Sequence, residues 1–86
     1  MSKAREAAVQ VVKKTLLELA NTGVKENTDY AVIKEAESAV EKMGEYSSTY
    51  KIEKSEFLED LNKTYDVLMK YKRYEAATFL ASKYGL

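Results

Sequence analysis

The sequence predicts an all-α fold, a small antiparallel bundle of three or four helices that forms one domain over residues 1–86. Apolar side chains recur at steps of three and four residues through most of the chain, which places them on one face of a helix. The chain has no proline, and each of its three glycines follows a stretch with this spacing. Because glycine readily adopts the left-handed conformation that closes a helix, we expect the glycines to mark helix ends.

The first two helices are predicted at about 2–21 and 29–43. Ser2 and Thr28 are suitable N-caps, because a hydroxyl at that position can accept a hydrogen bond from an unpaired amide of the first turn. The glycine that follows each helix is expected to end it. The apolar stripes of these helices consist of Val9, Val12, Leu16 and Leu19 in the first, and of Tyr30, Ile33, Ala36, Val40 and Met43 in the second.

The second half of the chain is expected to start with a loop at 45–54, where serine and threonine cluster. A third helix is predicted at about 56–71 with Ser55 as its N-cap, and a fourth at about 74–84 after a short turn. No glycine or proline marks that turn, so one continuous helix over 56–84 is the alternative. The apolar stripes here consist of Phe57, Leu61, Tyr65, Leu68, Tyr74, Ala77, Ala81 and Tyr84.

The composition excludes several kinds of chemistry. The chain has no histidine and no cysteine, so it cannot form a Ser–His–Asp or Cys–His nucleophile system, a disulfide or a cysteine-ligated zinc site. We therefore expect a protein that is not an enzyme and that uses no cofactor, metal ion or small-molecule substrate. The first residues are charged and resemble no secretory signal, and no apolar run approaches the length of a membrane span, so a cytoplasmic location is the expectation.

The C-terminal helix is the most apolar segment, since Phe79 and Leu80 are flanked by alanines. A helix that is apolar almost all round is either central in its bundle or covered by another chain. We therefore expect a protein-interaction or assembly module that forms a homodimer through Phe79, Leu80 and Tyr84. Tyr46 and Tyr50, in the predicted loop, are further contact candidates because tyrosine brings a large contact area at little entropic cost.

Four apolar residues fall outside the predicted stripes, namely Leu17, Val32, Val67 and Phe79, of which Phe79 in the last helix is the strongest exception. The simpler interpretation places each of them at the edge of a stripe or singly on the surface. The alternative is that some of them join into a second apolar surface for a partner.

The charges balance over the whole chain but are separated along it. Basic residues are in excess at 1–27 and 70–86, and acidic residues at 28–69. The alternative function is therefore a small nucleic-acid-associated regulator, in which Lys70, Lys72, Arg73 and Tyr74 supply cations and a stacking ring. The zero net charge disfavours this alternative, because neutralisation of phosphates usually requires a clearly basic surface.

Two short resemblances occur near the C-terminus. Residues 74–86 resemble the first helix of a helix-turn-helix DNA reader, and residues 72–77 resemble the turn of a tetratricopeptide hairpin. Both patterns are typical of a tight turn between two packed helices, and this is the interpretation that we adopt.

Overall fold

A computed structural model describes residues 2–86, and these residues form a bundle of four α-helices without a strand. The predicted all-α bundle is therefore confirmed. In chain order the structure has α1 at Lys3–Lys25, α2 at Asp29–Tyr50, a 3₁₀ helix at Lys54–Glu56, α3 at Leu58–Lys70 and α4 at Tyr74–Tyr84.

The helices form two antiparallel hairpins, α1–α2 and α3–α4, that lie side by side. Helix α1 packs against α2 and α3, and α4 packs against α2 and α3. Arg73, just before α4, donates a hydrogen bond to the carbonyl oxygen of Gly23 near the end of α1. Glu56, just before α3, forms an ion pair with Arg5 at the start of α1. Helices α1 and α3 therefore run in the same direction. The α1/α3 face and the α2/α4 face lie on opposite sides of the bundle.

The core is formed by apolar side chains from all four helices. The stripes predicted for the first and third helices are largely buried, but the second helix is rotated from its predicted orientation: Val32 is 0% exposed and Tyr30 is 71% exposed. Two of the four buried residues of α2 are alanines, Ala36 and Ala39, and the other two are Val32 and Met43. The largest fully buried side chains are Val12, Leu16, Leu19, Val32, Met43, Leu61, Leu68 and Leu80.

The prediction that Gly23 ends the first helix is wrong. Helix α1 continues past Gly23 to Lys25, and Gly23 is buried against α3. A Cβ atom at position 23 would lie 2.7 Å from Cδ2 of Leu68. Glycine is therefore placed here by the close approach of two helices rather than by a left-handed turn.

The predicted loop at 45–54 is wrong for most of its length, because α2 continues through Gly44 to Tyr50. Its C-cap is Lys51, which adopts the left-handed conformation with φ 54°. Among the described glycines only Gly85 has this conformation, with φ 66° at the end of α4.

The N-caps of the first two helices are confirmed, and that of the third is wrong. Ser2 Oγ accepts a hydrogen bond from the Arg5 amide at 3.2 Å, and Thr28 Oγ1 accepts one from the Ala31 amide at 3.4 Å. Ser55 instead lies inside the 3₁₀ helix, where the Glu53 amide donates to the Glu56 carboxylate at 2.9 Å.

The break between α3 and α4 is confirmed, and with it two helices rather than one over 56–84. Lys72 adopts the left-handed conformation with φ 62°, which a continuous helix does not permit. Helix α4 begins and ends where it was predicted.

Candidate protein-interaction face

An open groove of about 490 Å³ lies between α2 and α4, on the α2/α4 face. Much of its wall is apolar, since Ile33 and Phe79 are only partly buried and Tyr74 is 53% exposed. An apolar concavity on a small domain is a common form of protein contact site. The groove is lined by Ile33, Tyr74, Glu75, Thr78, Phe79 and Ser82.

The groove follows from the spacing of residues along α4. Side chains four residues apart lie above one another on a helix, so positions 74, 78 and 82 form one line and positions 75, 79 and 83 an adjacent one. The opposite side of α4 carries Ala76, Ala77 and Leu80, which are buried in the core. One side of the largely apolar helix α4 therefore packs in the core, and the other side lines the groove.

Charged side chains lie along the edges of the groove. The Lys83 ammonium lies 5.4 Å from the centroid of the Phe79 ring, within range of a cation–π interaction. On α2, the Lys34 ammonium lies 5.5 Å from the Tyr30 centroid. The Lys83 ammonium and the carboxylate of Glu75 therefore lie beside the apolar surface around Phe79.

The three predicted contact residues of the last helix differ in how far they are buried. Phe79 lines the groove as a contact residue would. Leu80 is 0% exposed, so its prediction as a contact residue is wrong: it faces the core, where no partner reaches it in the folded chain. Tyr84 is half-buried and packs edge-to-face on Phe57, with ring centroids 5.7 Å apart. Burial raises the pKa of the Tyr84 hydroxyl.

Tyr46 and Tyr50 lie on the last turns of α2, so their predicted placement in a loop is wrong. Their rings stack with centroids 6.1 Å apart, and both pack against the core. Helix α2 extends this far because Arg5 satisfies its final carbonyls: Nε donates to the Tyr50 oxygen at 3.1 Å and Nη2 to the Lys51 oxygen at 3.0 Å.

Arg5 also forms an ion pair with Glu56, with Nη2 and Oε2 2.6 Å apart. The hydrogen bond from the guanidinium lowers the pKa of the Glu56 carboxyl to about 2, and the Glu53 amide contributes. This cluster joins the start of α1, the end of α2 and the 3₁₀ helix. Its partners lie far apart in the chain, so no local sequence signal reveals it.

The residues of the nucleic-acid alternative do not act as one free cluster. The guanidinium of Arg73 donates to the Gly23 oxygen at 3.0 Å, to the Asp29 carboxylate at 2.9 Å and to the Glu26 oxygen. Its side chain is only 16% exposed, and it joins α1, α2 and α4. Lys70, Lys72 and Tyr74 are exposed. The nucleic-acid alternative therefore retains the exposed Lys70, Lys72 and Tyr74. Arg73, whose guanidinium would be best suited to bind a phosphate, is already hydrogen-bonded within the bundle.

Ile33 and Thr78 were missed as candidate site residues. Their contribution depends on α2 and α4 being neighbours, which the order of helices along the chain does not specify.

Within residues 2–86, no three side chains of histidine, cysteine, aspartate or glutamate are grouped so that they could hold a metal ion. Among the helices described, none is both long enough and apolar enough to cross a membrane.

Comparisons with known proteins give no relative for this fold and groove. No protein-family model matches the chain. A comparison with curated proteins finds no significant match, and a comparison with solved structures finds none either.

Proposed function

We propose that this protein is a small non-enzymatic interaction module that self-associates as a homodimer through its α2/α4 face. The observation that carries the proposal is the apolar groove beside Phe79, with an acidic residue and a basic residue at equal distances along α4. The exposed ring of Tyr74 and the partly buried Ile33 widen the apolar area.

The charges of α4 favour a second copy of the chain as the occupant. Glu75 precedes Phe79 by four residues and Lys83 follows it by four, so the three side chains form one line. If two α4 helices pack antiparallel about a two-fold axis, the Phe79 rings of the two copies meet. Each Glu75 then faces the Lys83 of the other copy, as a self-complementary interface requires.

The apolar contacts and the charges have different roles in this dimer. An exposed ion pair contributes only about 0–1 kcal/mol, so the two pairs mainly select the antiparallel register. Burial of the aromatic rings supplies most of the favourable free energy, at about 25 cal/mol per Å² of apolar surface. A contact built on one short helix and part of another is small, so we expect a dissociation constant of about micromolar order.

Sedimentation equilibrium over a wide concentration range tests this proposal. We expect the apparent mass to rise from 9.8 kDa towards twice that value as concentration increases. Thr78→Arg places a bulky cation in the groove at an exposed position, so this variant should remain monomeric. Asn62→Arg adds the same charge to exposed surface on α3 and should dimerise like the original chain.

Two results would contradict the proposal. One is a chain that stays at 9.8 kDa up to about millimolar concentration, where even a weak specific dimer would form. The other is a Thr78→Arg variant that dimerises as well as Asn62→Arg does, because the contact would then lie outside the groove.

A further inference from the structure

The α1/α3 face, opposite the proposed dimer contact, carries a second surface. Two depressions of about 330 and 240 Å³ adjoin there, and both are lined by Leu17 and Asp60. Ala20 and Val67 form the rest of the apolar floor. We call these two depressions together the α1/α3 groove.

Leu17 is the most prominent feature of the α1/α3 groove. Its side chain is 60% exposed, more than any other large aliphatic side chain in the described part of the chain. It makes little contribution to the core, where Leu16 and Leu19 are fully buried. Covering the exposed part of Leu17 with another apolar side chain removes it from water, which is favourable, so this position suits an apolar anchor from a partner.

The rim of the α1/α3 groove is basic. Lys13 and Lys14 line it, and neither has a hydrogen bond or ion-pair partner within residues 2–86. Lys63 also lines the groove, although it pairs with Glu59 at 3.2 Å on open surface. Asp60 is the one acidic residue of the lining, so the groove has an excess of positive charge.

This combination fits a peptide better than a nucleic acid. The lining contains no aromatic ring on which a base could stack. An apolar floor between two helices, with cations along the rim, matches an amphipathic helix that carries carboxylates beside its apolar residues.

We propose that the α1/α3 groove binds an acidic amphipathic segment of another protein. A large apolar side chain of that segment packs on Leu17 and Val67, and its carboxylates pair with Lys13 and Lys14. This inference does not rest on the homodimer, because the two faces lie on opposite sides of the bundle. If both proposals hold, a dimer presents two such grooves and can join two partner segments.

The test is an NMR titration of the isotopically labelled full chain with a synthetic acidic helical peptide. The peptide carries leucines at helical spacing with glutamates between them. We expect saturable shifts at the amides of Leu17, Ala20, Thr64 and Val67. Shifts confined to the α2/α4 face, or no saturation up to about millimolar peptide, would overturn the proposal.

Matched variants separate the charge contribution from the apolar one. Lys13→Glu with Lys14→Glu should weaken binding by at least about tenfold, because both carboxylate contacts become repulsive. Lys3→Glu with Lys42→Glu changes the net charge equally on exposed positions outside the groove and should leave affinity unchanged within about twofold. Equal losses from both double variants would overturn the proposal.

Two further measurements complete the test. Leu17→Gln should weaken binding by about tenfold while thermal unfolding stays unchanged, because Leu17 is 60% exposed. Undiminished binding by Leu17→Gln would contradict the proposed contact between Leu17 and an apolar side chain of the peptide. A single-stranded oligothymidylate that shifts the same amides, where the peptide does not, would make the surface a nucleic-acid site instead.

Discussion

Replacing the two helical glycines by alanine should change stability in opposite directions. Gly44 is exposed inside α2, and an added Cβ would meet nothing within 4 Å. Alanine is favoured over glycine in a helix interior by about 1 kcal/mol. We therefore expect Gly44→Ala to raise the free energy of unfolding by about 1 kcal/mol, and the melting temperature by about 4–8 °C.

Gly23→Ala gains the same helix propensity, but the overpacking that it causes costs at least as much free energy. The new Cβ would lie 2.7 Å from Cδ2 of Leu68, which is 0% exposed. Carbon atoms pack at about 3.5–4.0 Å, so Leu68 must withdraw by about 1 Å into a filled core. Overpacking of this kind costs about 1–3 kcal/mol, which leaves a net loss of about 0–2 kcal/mol.

Urea unfolding followed by circular dichroism measures both variants against the original chain. Leu68→Val serves as a control background, because removing the clashing methyl should make Gly23→Ala less costly there than in the original chain. Equal stabilisation by both alanines would show that α1 and α3 do not approach at Gly23. Destabilisation by both would instead support glycines at left-handed helix ends.

Other predictions concern the residues that join the helices. Arg73→Lys should lower the free energy of unfolding by about 2 kcal/mol in urea titrations, because lysine cannot reach the Gly23 and Glu26 carbonyls and the Asp29 carboxylate together; an unchanged midpoint would contradict this. The pKa of Glu56 is lowered to about 2, so the stability from its carboxylate is present above the ordinary pKa near 4.5 and is lost as pH falls towards 2. Thermal unfolding across this window should therefore be less pH-dependent in Glu56→Gln, and an unchanged slope would argue against the ion pair. Because burial raises the pKa of Tyr84, Tyr84→Phe should reduce the loss of stability above its ordinary pKa of 10, as measured by alkaline unfolding.

Local sequence signals predicted the features that depend on neighbouring residues alone. The N-caps at Ser2 and Thr28 and the bounds of α4 followed from residues within one or two turns. The role of Gly23 did not, because a glycine that closes a helix and one that admits Leu68 look alike in sequence.

The candidate site was predictable in part for a related reason. The apolar composition of the last helix indicated that it contacts more than its own core, and Phe79 does line a groove. Composition cannot show which side faces inward, so Leu80 was placed wrongly. Tyr46 and Tyr50 were misplaced because the carbonyls that end α2 are satisfied by Arg5, far away in the chain.

A mixing experiment with two charge variants tests the proposed antiparallel dimer most directly. In a dimer of Glu75→Lys alone, each facing pair has two positive charges, and in a dimer of Lys83→Glu alone it has two negative charges. Each variant alone should therefore be largely monomeric in sedimentation equilibrium at low salt and at a concentration near the dissociation constant of the original chain, because repulsion at both pairs weakens association. An equimolar mixture should regain the dimer, because every facing pair is again opposite in charge. Variants that dimerise alone like the original chain, or a mixture that stays monomeric, would contradict the proposed interface.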